Sequence, residues 1–173
     1  MPVAYGLIDE INLLHGYYQF KTIELQIDSP GGSADALHYL LHSLAPWRNG
    51  EGLTLRTVAL TEAASAAALL LSFGTLGHRC ASAHSRLLYH SVRAVQREGA
   101  VMTVPQLRFA SRQLEDCERG FLDLLVDHVL QGGNTAGGMS RAAYRKKLQR
   151  LFRQDRFISA GKAQELGLID KIG

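Results

Sequence analysis

Cysteine is scarce: only Cys80 and Cys117 occur in 173 residues, far apart and in no Cys-x-x-Cys pair. That excludes a disulfide framework and a thiol redox motif, and makes a reducing compartment, the cytoplasm, the expectation. A long apolar run is missing too. The richest stretch, Ala63 to Phe73, is too short to cross a bilayer. Met1 to Glu10 has no basic segment and carries Asp9 and Glu10, unlike a secretory signal. Charge of one sign is hardly in excess, with a net charge of +3. Without a focused basic patch, that gives no reason to expect a nucleic-acid partner. What remains is ordinary globular composition, 46% hydrophobic and 20% charged. The length fits one domain, since domains commonly hold roughly 100–200 residues.

Periodicity divides the chain into alternating elements. Gly6 to Leu14 has helical spacing of Leu7, Ile8, Ile11 and Leu14. Thr22 to Ile27 alternates as a strand and stops at Asp28-Ser29-Pro30-Gly31-Gly32-Ser33, where proline and two glycines break any regular element. Ala34 to Leu44 is expected as a helix ended by Pro46, Asn49 to Gly52 as a turn, and Leu53 to Leu60 as a second strand. Ala63 to Phe73 is apolar nearly all round, so as a helix it would be buried. Short strands are expected at Arg79 to Ala83 and Arg86 to His90, then a loop from Val92 to Val104.

Pro105 to Gln131 is the longest helical pattern. Leu107, Leu114 and Phe121 recur every seven residues with Ala110, Cys117 and Leu124 between them, a narrow seam on a charged helix. Such a helix either lies on its own domain or meets a partner chain. Gly132 to Gly138 reads as a loop, and Ser140 caps a basic helix through Arg153. Phe157 to Ser159 is extended, Ala160 to Leu166 helical, and Leu168 to Ile172 a last strand. Strands alternating with helices imply a single α/β domain spanning 1–173, with a mainly parallel sheet.

Three features can carry chemistry. Ser65 sits at the start of the Ala-rich helix, just after a strand; it is either an N-cap or a nucleophile. His90 ends a strand and is either a structural histidine or a base placed to take a serine proton. Gly31 and Gly32 can turn backbone N–H groups inward, as an oxyanion hole requires, or simply make a tight turn. His38 and His42, at i and i+4, have metal-ligand spacing but no third ligand, so no metal is expected. Arg141, Arg145, Lys146, Lys147, Arg150, Arg153 and Arg156 form a basic stretch. It reads as a solvated face, or one pairing with acids on another subunit, rather than a nucleic-acid surface. Cys80 and Cys117 read as buried apolar residues.

In order along the chain, IDSPGGS, EAASAA, SRLLYH and QDRFISAGKAQELGLID resemble the Clp protease proteolytic subunit (ClpP) family, peptidase family S14. The likeness runs from about Gly6 to Ile172. It implies a crotonase-like ClpP fold with a protruding handle helix, approximately 105–131, and a serine endopeptidase. Ser65 falls on the family's nucleophile and His90 on its general base. Gly32 and Ala66 fall on the oxyanion-hole positions. The resemblance also implies heptameric rings stacked as a tetradecamer, an AAA+ unfoldase that feeds unfolded polypeptide into an interior chamber, and no cofactor or metal.

The departures are specific. The family's triad aspartate, four residues before the aspartate of Asp155-Arg156-Phe157, is replaced by Leu151, and no acidic residue lies between Asp127 and Asp155. Asp155 substitutes for it only if the loop is rearranged. Leucine can neither hold an imidazole's tautomer nor stabilise its cation, so activity on the order of 10³–10⁴-fold below a full triad is expected. The alternative is an impaired structural subunit that assembles alone or with an active paralogue. The family's glycine four residues before the nucleophile is Thr61. Its proline and glycine after the histidine are Val92 and Arg93. Extra residues precede the Asp-Arg-Phe motif near Gly132 to Gly138. The family's axial loops and first strand, which help dock the unfoldase, precede the helix starting near Gly6, so this sequence starts short of them.

Overall fold

A computed structural model describes residues 2–48, 52–94, 101–132 and 138–173, with the side chains of Trp47 and Arg48 excepted. Most of the expected turn at Asn49 to Gly52 and of the loop at Gly132 to Gly138 lies outside these residues, as does part of the Val92 to Val104 loop.

The chain opens with α1, Pro2–Asn12, whose Ala4, Ile8 and Ile11 are buried. It widens into a π turn at Leu13–Tyr17, closed by the Tyr18 N–H on the Leu13 carbonyl at 3.1 Å. β1 is Thr22–Ser29, α2 is Ala34–Ser43 and a one-turn α3 is Ala45–Arg48. Pro46 therefore does not end helical structure. It sits in the first turn of a new helix, where its missing N–H has no intrahelical acceptor to lose.

The central strand, β2, is Thr54–Ala64. One edge pairs in parallel with β1, from Thr22 on Thr54 to Ile27 on Ala59. The other edge serves two short parallel strands in turn: β3, Arg79–Ala81, along Thr57 to Ala59, then β4, Arg86–Leu88, along Glu62 to Ala64. The α/β class is as expected, but β2 runs farther. Ala63 and Ala64 belong to the strand because they pair with Leu87 and Leu88. The helix that follows, α4, is only Ala66–Ser72.

The register between β1 and β2 shifts after Ile27, so that Ser29 meets Ala63. The Asp28 carboxylate sits at this bulge. It accepts from the Thr61 hydroxyl and, at 3.1 Å, from the Glu62 N–H. Those two donors hold Asp28 below its ordinary pKa. Thr61 thus ties the bulge where the family pattern has glycine, and its backbone is not left-handed.

The helix α5, Val104–Gln131, spans about 42 Å at 1.5 Å per residue. It joins the two readings of its seam. None of Val104 to Gly120 is buried, whereas Phe121, Leu122, Leu125, Val126 and Val129 enter the core. The helix α6, Arg141–Gln154, packs beside its inner half. Arg141 pairs with Asp127 and Arg145 with Asp123, each at 2.6 Å. For these two arginines the acidic partners lie on the same chain rather than on another subunit. β5 (Ile158–Ser159) pairs antiparallel with β4, α7 (Ala160–Glu165) follows, and β6 (Lys171–Ile172) closes the β3 edge. Cys80 is buried, as expected. Cys117 is only half-buried, since it lies on the outward half of α5.

Candidate active site

The turn from β2 into α4 puts Ser65 where no capping serine belongs. Its φ and ψ are 57° and −125°, a left-handed conformation that disfavours any side chain, and its hydroxyl makes no cap hydrogen bond. The N-cap reading of Ser65 therefore fails. Non-glycine residues in such regions cost about 1–3 kcal/mol and persist only where the surroundings enforce them. Here the enforcement is visible. The Ser65 N–H donates to the Leu88 carbonyl at 2.8 Å and its carbonyl accepts from Leu69 at 3.2 Å, so the sheet holds one side and the helix the other.

The Pro30-Gly31-Gly32 loop presses on this turn. Gly31 has a φ of 112°, and a β-carbon there would stand 2.7 Å from both the Ala64 carbonyl and the Ser65 β-carbon. Gly31 is needed for close approach, a role the sequence did not assign to it. Around Gly32 the space is open. The Ser33 hydroxyl accepts from the Ala36 N–H and starts α2.

A cleft of about 580 Å³ brings the sequence candidates together. Ser65, His90, Gly32 and Ala66 all line it, with Leu37, Leu69 and Phe121 as apolar wall. Val92 and Arg93, standing where the family pattern has proline and glycine, line it too. His90 lies beyond the end of β4 rather than within a strand, because the ladder with β2 ends at Leu88. The preceding Tyr89 is buried, with its hydroxyl 2.8 Å from the Ser72 hydroxyl and its ring stacked on Phe152 at 6.4 Å. Burial pushes the Tyr89 phenol up to about 12, against the opposing Ser72 hydrogen bond and Arg79 charge.

The acid positions are equally plain. Leu151 is buried in the core beside Leu148 and Phe152. Asp155 caps α6 in a left-handed conformation and pairs with Arg93 at the cleft rim. His90 directs Nδ1 at neither, but at the Ser91 carbonyl, 2.6 Å away. His38, of the paired histidines on α2, packs edge-on against Phe121 at 5.4 Å.

With this geometry in hand, the Clp protease family profile matches residues 2–173. The chain belongs to the Clp protease family. It is 28% identical to the ATP-dependent Clp protease proteolytic subunit 1 of Corynebacterium glutamicum over 169 residues, 98% of this chain and 72% of that one. With proteolytic subunit 2 of Prochlorococcus marinus the identity is 30% over 171 residues, 98% of this chain and 76% of the relative. With proteolytic subunit 4 of Rhodococcus jostii it is 33% over 152 residues, 88% and 68%. Other Clp protease relatives are longer, and the chain spans 60–62% of them. Among the described residues no helix is long and apolar enough to cross a membrane.

Proposed function

We propose that the chain is a ClpP-like serine endopeptidase subunit that cleaves unfolded polypeptide by acyl transfer. Ser65 attacks the scissile carbonyl. His90 takes its proton as general base and returns it to the leaving amine as general acid. The N–H groups of Gly32 and Ala66 stabilise the oxyanion of the tetrahedral intermediate. The observation that carries this reading is the strained, non-capping Ser65 in one cleft with His90 and the glycine loop. The subunit works in heptameric rings stacked as a tetradecamer, in the cytoplasm, with an AAA+ unfoldase as the source of unfolded chain. The exposed outer half of α5 supports an interface between rings.

Fluorophosphonate labelling followed by peptide mass spectrometry tests the chemistry on the wild type, Ser65→Ala and His90→Ala. The expected adduct sits on Ser65 and is lost in both variants. A folded, assembled sample that takes no adduct overturns the peptidase reading and leaves an impaired structural subunit.

A further inference from the structure

His90 is usable as a base only if one ring nitrogen is reliably unprotonated and faces the cleft. In serine peptidases a carboxylate on the other nitrogen ensures this. By the family resemblance that acid's place falls on Leu151, buried among Leu148 and Phe152. Asp155, four residues further on, is occupied by Arg93.

The structure assigns the missing orienting role to the main-chain carbonyl of Ser91, braced by the last turns of α6. This rests on the reading of Ser65 and His90 as nucleophile and base. His90 Nδ1 lies 2.6 Å from the Ser91 oxygen. A carbonyl oxygen only accepts, so Nδ1 carries the hydrogen. In the neutral ring the lone pair is then on Nε2, the nitrogen a serine base must use. When Ser65 Oγ bonds to the substrate carbonyl, its proton passes to Nε2 while Nδ1–H stays on the Ser91 oxygen.

A main-chain acceptor orients a ring only if it is itself fixed, and this one is held from both sides. The Ser91 N–H donates to the Phe152 carbonyl at 3.2 Å, one residue from Leu151. Just before His90, the Tyr89 ring stacks on Phe152, and its hydroxyl bonds Ser72, which in turn donates to the Ala68 carbonyl at 3.2 Å. Both anchors converge on the segment of α6 that would otherwise have supplied the acid. The carbonyl replaces two of the carboxylate's three functions, tautomer and orientation. It carries no net charge to stabilise the imidazolium. Among the described residues, the charged groups at this cleft are Arg93 and, through it, Asp155.

The test combines imidazole ¹⁵N NMR with fluorophosphonate labelling on the full chain. The His90 signal is identified by its loss in His90→Gln. At a pH where imidazoles are neutral, His90 is expected wholly in the Nδ1–H form, with a slowly exchanging Nδ1 proton. Ser65 labelling is expected to exceed that of His90→Gln by about 100-fold or more, the usual contribution of a general base. An Nε2–H ring, or one averaging between tautomers, overturns the orienting role whether or not Ser65 labels. A fixed Nδ1–H ring with no Ser65 adduct upholds the orienting hydrogen bond and sinks the peptidase reading instead.

Discussion

At the scale of single residues, the site stores strain at one position and demands a missing side chain at another. Ser65 holds a φ of 57° that glycine would adopt freely. Relief of about 1–3 kcal/mol of strain outweighs the roughly 0.5–1 kcal/mol that glycine's extra freedom costs. Ser65→Gly should therefore raise the urea midpoint, by about 1 kcal/mol of stability, while abolishing the fluorophosphonate adduct. A lower midpoint would mean that the turn is not strained. Gly31 makes the opposite case. A β-carbon there meets the Ala64 carbonyl and Ser65 at 2.7 Å, and neither is the loose end of a side chain. Gly31→Ala should lose about 1–3 kcal/mol and slow Ser65 labelling by about 100-fold, since displacement of reacting groups by 1 Å has that effect. Gly32→Ala is the comparison for stability. Its φ is not left-handed and its surroundings are open, so the midpoint should hold within about 1 kcal/mol.

Among the elements, α5 divides into two halves with different physics. Leu125 is fully buried in the main core, whereas Leu107 is 47% exposed. Leu125→Ala should cost about 2–5 kcal/mol in thermal unfolding. Leu107→Ala should change the stability of the dispersed chain by no more than about 0.5 kcal/mol. Sedimentation should show it lowering the assembled fraction if the outer half carries a ring-to-ring contact. Equal stability losses at both positions would mean that the whole helix lies on its own domain. The seam was legible in sequence because its period is local, but its division was not, because burial depends on where α6 and the sheet end. The same limit explains β2. Alanines carry no alternation, so Ala63 and Ala64 read as helix until their pairing with Leu87 and Leu88 is seen. The serine turn, the glycine loop and His90 were legible because Pro, Gly and the strand ends mark them locally. The Ser91 carbonyl was not, since every residue has one and only the fold decides what it faces.

For the whole molecule, one edge of the sheet is fastened by a buried ion pair. Arg79, on β3, is 1% exposed and donates to both Asp170 oxygens, at 2.6 and 2.9 Å, and to the Ser72 carbonyl at 3.3 Å. The Asp170 N–H returns a bond to the Arg79 carbonyl at 2.7 Å. This cluster fastens the C-terminal strand to β3 and the end of α4, and its Ser72 is also the hydroxyl that holds Tyr89 beside His90. Burial alone would push the Asp170 carboxyl up. The Arg79 hydrogen bonds and charge, with backbone N–H groups, outweigh it and hold the group below its ordinary value. A carboxyl depressed in the folded state adds stability above its unfolded pKa, and that stability is lost as pH falls through the folded pKa. The urea midpoint should therefore fall from about pH 4 downward, and Asp170→Asn should flatten that part of the profile. Removing one partner of a buried pair leaves the other uncompensated, so Asp170→Asn should also cost about 3–5 kcal/mol at neutral pH. Because Ser72 is shared, the variant should lower Ser65 labelling as well. A variant with an unchanged acid slope would place the pH dependence in the exposed carboxylates Asp28, Asp127 and Glu165. The buried clasp would then be a matter of packing and not of charge.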